Sequence, residues 1–422
     1  MNQNLSLGLD IGTSGVRGIC INERQEVVAM AKSSFTDESR EALRNPLNWK
    51  KMLSAVLSEL DELIHLKNVI SLSVDGQSGT VLLCDADGKL FDNISLLYND
   101  EPSDKTISVL TQSIGSCPAS LGRAYQLWNT LGQLQTFYIV HQADWIAGLL
   151  CGNFNLSDEN NTLKMGYSPQ QKMWDFDQSK LPFNPQSLPK VTTPAVLKGK
   201  SITPFAKQLG FSKECKVVTG TTDGTAGFIA ASGIQNLAIG TAVTSLGTTL
   251  VIKTVSAKDI NSMKFGVYSH KLFDVWVAGG ASNSGAGVLL KYFTAEQLTE
   301  LSKRIDPFIP SPLKYYPLLV KGERFPINDL QMTSQVVPRP NDDAEFLAGL
   351  FESIAGIEKQ AYETLDSLGA SYPTMVQTVG GGSFNNIWTS IRARVLGVEV
   401  VTAKHPEAAY GSALIAQFYN NN

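Results

Sequence analysis

The chain has little cysteine, no basic run and no long apolar stretch, and each shortage closes off a class of function. Its five cysteines (Cys20, Cys84, Cys117, Cys151 and Cys215) are scattered, odd in number and never at CxxC spacing. That pattern argues against a disulfide framework or a thiolate metal centre and for reduced thiols in a cytosol. Lys and Arg number 35 against 39 Asp and Glu, a formal net charge of −4, and no basic run occurs. A nucleic-acid partner, which needs a basic face, is not expected. No window approaches the roughly 18 apolar residues of a membrane span, so no membrane partner is expected either. After Met1 the chain reads Asn-Gln-Asn-Leu-Ser, unlike a secretory leader. The expected location is cytoplasmic. Two phosphate fingerprints are also missing: there is no GxxxxGK[ST], and no GxGxxG follows a strand.

What is present is an ordinary globular balance, 43% hydrophobic and 18% charged, over 422 residues. A chain beyond roughly 250–300 residues usually splits into two domains. Short apolar runs at 5–10 and 16–21 flank Gly12-Thr13-Ser14-Gly15 and predict a hairpin, with a third strand over 26–34. Trp49, Met52, Leu53, Val56, Leu57, Leu60, Leu63 and Ile64 recur at helical spacing and predict a helix over 48–66. Strands are expected at 69–74 and 80–84, an irregular surface excursion or lid over 92–116, and a buried helix over 143–151. The Pro- and Lys-rich stretch 181–200 reads as a surface loop. Further on come a helix of small residues over 222–232, a second hairpin over 242–253 and a long helix over 342–369. A strand over 374–379 runs into three glycines, and a last helix covers 407–418. Alternating strands and helices indicate an α/β fold.

Four places carry chemistry. The turn at 12–15 is echoed by Leu246-Gly247-Thr248-Thr249 at the second hairpin tip. Small residues there expose backbone N–H groups that suit phosphate oxygens, although a single such turn is ordinarily only a turn. Asp10, ending a buried strand, suits water-mediated Mg²⁺ or a turn cap equally well. Asp223, in Thr-Gly-Thr-Thr-Asp-Gly, suits a helix N-cap or a general base at a strand's C-terminal end. Gly380-Gly381-Gly382 would let a flat ligand approach the backbone, with Trp388 either stacking on it or lying in the core.

Taken together these residues resemble the FGGY family of carbohydrate kinases, within the actin-like ATPase superfamily, from Leu5 to the C-terminus. The matching segments are 7–18, 142–145, 219–224, 244–249, 346–355 and 379–388, in the family's order. Segments 74–85, 96–99, 266–272 and 321–327 resemble its short cyanobacterial and plant branch, associated with D-ribulose kinase activity. The resemblance implies two actin-like, ribonuclease H-like domains with an ATP and sugar cleft between them. The first would span 1–230 and be completed by a helix at about 406–422; the second would span 231–405. It implies Asp223 as catalytic base and Asp10 as the Mg²⁺ residue. Sugar contacts would come from Asp10, Ser14, Gly15, Val16, Arg17, Ser78 and Asp223. ATP contacts would come from Thr13, Gly247, Thr248, Gly287, Gly381, Gly382, Asn385 and Trp388. The implied partner is a small sugar, and the implied assembly a monomer or homodimer.

Two positions depart from the family pattern. Gln126 stands where many relatives have Lys, and Gln77 replaces a hydroxyl residue of the branch. Rival readings are a kinase for xylulose, sedoheptulose or glycerol, an actin-like ATPase that acts on partners, and a pseudo-kinase that only binds nucleotide.

Overall fold

The computed structural model describes residues 4–37, 39–235 and 237–421. They form two compact units, 1–230 with 407–422, and 231–406.

The first unit is built on a six-stranded sheet in the order Leu197–Lys200, Lys216–Thr222, Val69–Gly76, Leu5–Ile11, Gly15–Ile21, Val27–Ser34. The strands at 5–11, 15–21 and 27–34 form an antiparallel meander, and 69–76 and 216–222 add parallel strands. The first strand is buried at every position because both its faces are covered. The helix Pro46–Ile64 covers one face with Trp49, Leu53, Val56, Leu57 and Leu60. The last helix, Ala408–Asn421, packs so closely that a Cβ on Gly8 would lie 1.9 Å from the Ala409 carbonyl oxygen. Glycine in mid-strand is there to let a helix backbone touch the sheet.

The second unit repeats the arrangement. Its sheet runs Tyr268–Leu272, Val275–Ser282, Leu250–Ser256, Thr241–Leu246, Met375–Val379, Glu399–Thr402. Again an antiparallel meander is followed by two parallel strands. The long helix Asp343–Ser367 supplies much of its core, including Phe346, Leu350, Phe351, Ile354 and Tyr362. The mixed α/β fold with two sheet-containing units is therefore observed.

Two regions differ from the sequence reading. Within 92–116 the segment Asp104–Ile114 is a helix, capped by the Ser103 hydroxyl and closed by Gly115 in the left-handed region. It buries only Thr106 and Leu110, so its apolar period was weak. Within 181–200, Leu197–Lys200 is an edge strand of the first sheet. Its Lys198 side chain is wholly buried and pairs with Asp144 at 3.2 Å. A lysine that reads as solvent-facing is here an internal cation, paired as burial demands. All five cysteines are free thiols. Among the described residues no helix is long and apolar enough to cross a membrane.

Candidate functional site

In the first unit three carboxylates gather at the ends of adjacent strands. Asp10 and Asp75 occupy matched positions on neighbouring parallel strands. Asp223 opens the helix Asp223–Ser232 directly after the third parallel strand. The edges of three strands thus deliver acidic groups to one place, where α/β sheets put their ligands. Asp75 is wholly buried, and the Ser412 hydroxyl donates to its Oδ2 at 2.6 Å. Burial first, then the charge of Asp10, pushes its carboxyl well above the usual carboxylate range. Asp10 is raised to about 6 by burial, against the opposing charge of Arg17 and with that of Asp223 adding. Close carboxyls cannot all ionise, so Asp75 keeps the proton and its hydrogen bond favours the Asp10 anion. Asp75 was missed in sequence because its pairing with Asp10 is a matter of strand register, not motif.

Asp223 is half-buried and is the first residue of its helix, not the cap before it; its Oδ1 accepts the Gly224 amide at 2.7 Å. Arg17 is tied down by Asp10 Oδ2 (3.0 Å), Ser14 Oγ (3.1 Å) and Glu407 Oε2 (3.3 Å). Gly15 lies against the neighbouring strand, where a Cβ would meet the Ser33 carbonyl oxygen at 2.2 Å. Val16 is a correction: the whole residue is 0% exposed and belongs to the core, so it offers no surface to a ligand. Thr13 and Ser14 are exposed at the hairpin tip, and the Gly12 amide closes that turn on Gly15 O.

Ser78 sits in a bend after the Asp75 strand. Its hydroxyl is buried with no partner among the described residues, as is that of Ser120. The Ser78 carbonyl accepts the Lys164 ammonium at 3.3 Å. Both family departures have structural uses. Gln77 Oε1 accepts from Thr80 (2.9 Å), and Gln126 Oε1 accepts from the Ser103 amide (2.9 Å) at the start of the 104–114 helix.

In the second unit Gly247, Thr248, Gly287, Gly381, Gly382, Asn385 and Trp388 all line one cavity of about 800 Å³. The second hairpin tip, the triple-glycine bend and the segment around Gly287 build its walls. A Cβ on Gly287 would stand 2.7 Å from Thr248 O, and one on Gly380 2.8 Å from Leu246 O. Gly381, by contrast, has nothing within 4 Å of its Cβ position and leaves open space. Two expectations are corrected. The Gly247 amide closes its own turn on Thr249 O at 3.2 Å and is not directed at a ligand. Trp388 is 1% exposed, with its indole stacked on Phe351 (4.7 Å between centroids, 13° between planes) and its N–H given to Phe351 O. It is floor, not platform. Asn385 caps the helix Asn386–Leu396 and bonds Ser302 Oγ at 2.8 Å. The aromatic that does stand free on this cavity is Phe384, 77% exposed, which the sequence reading passed over.

One anionic carboxylate, Asp10, is what Mg²⁺ needs when waters and phosphate oxygens complete its shell. Among the described residues no cluster of three or more His, Cys, Asp or Glu could enclose a metal, so the fit is to that looser mode.

Residues 242–419 match the family model described as the C-terminal domain of the FGGY family of carbohydrate kinases. Over 98% of its length the chain is 24% identical to a xylulose kinase of Bacillus subtilis, 87% of which is covered. The fold superposes on a ligand-bound xylulose kinase of Lactobacillus acidophilus with a TM-score of 0.82 and 17% identity, covering 99% of this chain and 90% of that one. A Plasmodium falciparum glycerol kinase with ADP gives 0.82 at 15% identity, with 99% and 90% covered. At such identities these structures establish the fold alone.

Proposed function

We propose that this chain, whose residues 242–419 match the C-terminal domain of the FGGY family of carbohydrate kinases, is a kinase of that family that transfers the γ-phosphoryl group of ATP to a terminal hydroxyl of a ketose, with D-xylulose the favoured sugar. The observation that carries this reading is the convergence of seven phosphate- and adenosine-type positions on one large cavity. The xylulose preference rests on the names of the curated relatives. Segments 74–85 and 321–327 suggest D-ribulose instead, which the names of those two relatives do not support.

In this mechanism Asp223 takes the proton of the sugar hydroxyl as its oxygen attacks the γ-phosphorus, and the bond to the ADP oxygen breaks. Such a base mainly orients the nucleophile. Asp10 would hold Mg²⁺ through water, and the ion when bound would neutralise charge on the phosphates. Thr248 flanks the phosphates in the second unit's cavity, and Ser78 meets sugar hydroxyls. Gly381 and Gly382 let adenosine approach the backbone above Trp388, with Phe384 against the base.

Steady-state ADP release on a sugar panel tests this. D-xylulose is expected to give the highest kcat/KM, above D-ribulose and glycerol, over a small sugar-free rate. An equal rate without sugar would remove the kinase reading; D-ribulose ranking first would restore the narrower branch. For the base-stacking role, Phe384→Ala is expected to raise KM for ATP roughly five-fold with kcat little changed, the size of one aromatic contact. An unchanged KM would return the adenine site to Trp388 or to backbone alone.

A further inference from the structure

Lys164 has no part in the mechanism above, yet its surroundings are those of a ligand contact. It lies in the short turn Thr162–Met165 and is half-buried. Burial pulls its ammonium below the usual lysine range, and Asp223 is the carboxylate whose charge opposes that shift. Its one hydrogen bond among the described residues is to a neutral carbonyl, Ser78 O. A buried ammonium without a close carboxylate is costly unless something else completes its shell. Beside it, Gly79 lets these groups close in: a Cβ there would crowd Arg123 Nη1 (3.2 Å), Ser120 Oγ (3.3 Å) and Lys164 Cδ (3.4 Å). The hydroxyls of Ser78 and Ser120 are themselves buried and lack partners among the described residues. Lys164, Ser78 and Ser120 therefore converge around Gly79 as one polar wall with unmet hydrogen-bonding capacity, in the same unit as Asp10 and Asp223.

We propose that Lys164, with the Ser78 and Ser120 hydroxyls, is the wall that selects a ketose, its ammonium donating to the sugar's carbonyl oxygen. This rests on the sugar-kinase reading given above. An ammonium offers three donors and no acceptor. A carbonyl oxygen only accepts, so it meets that wall without conflict. A polyol hydroxyl in the same place must also place its own proton, which Lys164 cannot accept and which a serine hydroxyl accepts only by turning its own proton elsewhere.

The test compares kcat/KM for D-xylulose and for xylitol, its reduced form, in wild type, Lys164→Met and Lys164→Arg. Lys164→Met is expected to lose about 10- to 100-fold on the ketose, mainly through KM, which is the size of a hydrogen bond to a charged group. On the polyol it should lose less than about three-fold, so the ketose preference collapses. Lys164→Arg, which keeps the charge and the donors, should stay within about five-fold of wild type on the ketose. ADP affinity measured by calorimetry should match wild type in both variants, which separates a local effect from misfolding. Equal losses on ketose and polyol, or no loss on either, overturn the assignment while the kinase reading stands. A wild type that turns over no ketose overturns both.

Discussion

Asp223→Ala is expected to lower kcat for sugar phosphorylation by about 10²–10⁴-fold, the usual contribution of a positioned base. KM for ATP should hardly move, because the proposed nucleotide contacts at Thr248, Gly381, Gly382 and Phe384 lie on other elements. Stability is the discriminating control. Asp223 starts its helix and accepts the Gly224 amide, so a purely structural role is a real competitor. In that case the substitution would cost about 0.5–2 kcal/mol of stability, as lost caps do, and leave turnover near normal. A large fall in kcat with a melting temperature within a few degrees of wild type supports the base. Normal turnover with a lowered melting temperature assigns the residue to the helix. Asp223→Asn refines the result: it keeps the shape and a carbonyl acceptor but cannot take the proton, so it should be as inactive as alanine.

The two hairpins were legible because a short apolar run on each side of a Gly-Ser-Thr tip leaves few alternatives to a tight antiparallel turn. Their equivalence was legible too: Gly12 and Gly247 each close a turn through their own amide. The same closure explains why Gly247 could not be read as a phosphate donor, since amide direction is set by ψ and not by composition. The second unit's cavity was legible as a set of residues but not in its surfaces. Which aromatic is floor and which is exposed depends on Phe351, carried by a helix distant in sequence, which claims the Trp388 ring and leaves Phe384 outside. Asp75 and Lys164 were invisible for a related reason. Neither sits in a motif, and both acquire meaning only when parallel strand register or close approach at a glycine places them beside a site residue. Lys198 shows the opposite failure. Its Lys-rich neighbourhood reads as surface, but Asp144 holds it inside.

Glu358→Ala is expected to cost the second unit about 3–5 kcal/mol, the typical result of removing one partner from a buried ion pair. Both Glu358 and Arg392 are fully buried. Arg392 Nε and one terminal nitrogen grip the two carboxylate oxygens at 2.6 Å each, and its other terminal nitrogen donates to Thr378 Oγ1 at 2.8 Å. Thr244 Oγ1 donates to Glu358 Oε1 at 2.6 Å and bonds the Tyr362 hydroxyl at 2.9 Å. Thr244 and Thr378 are register partners on adjacent parallel strands. The network therefore ties two helices to the two strands whose ends carry the second hairpin tip and the triple-glycine bend. Removing the carboxylate leaves a guanidinium in apolar surroundings with a single hydroxyl for company, and the burial cost is no longer offset. For a unit of this size the penalty corresponds to a fall in melting temperature on the order of 10 °C, read by differential scanning calorimetry. Nucleotide should counteract part of it, since ligand that binds only the folded form raises apparent stability. The pair substitution Glu358→Leu with Arg392→Leu should recover most of the loss, because replacing both charges with apolar groups is far cheaper than stranding one. KM for ATP in that double variant remains the sharper readout. If the network also sets the spacing of the hairpin tip and the glycine bend, KM stays several-fold raised after stability has returned. If stability and KM recover together, the pair acts on folding alone.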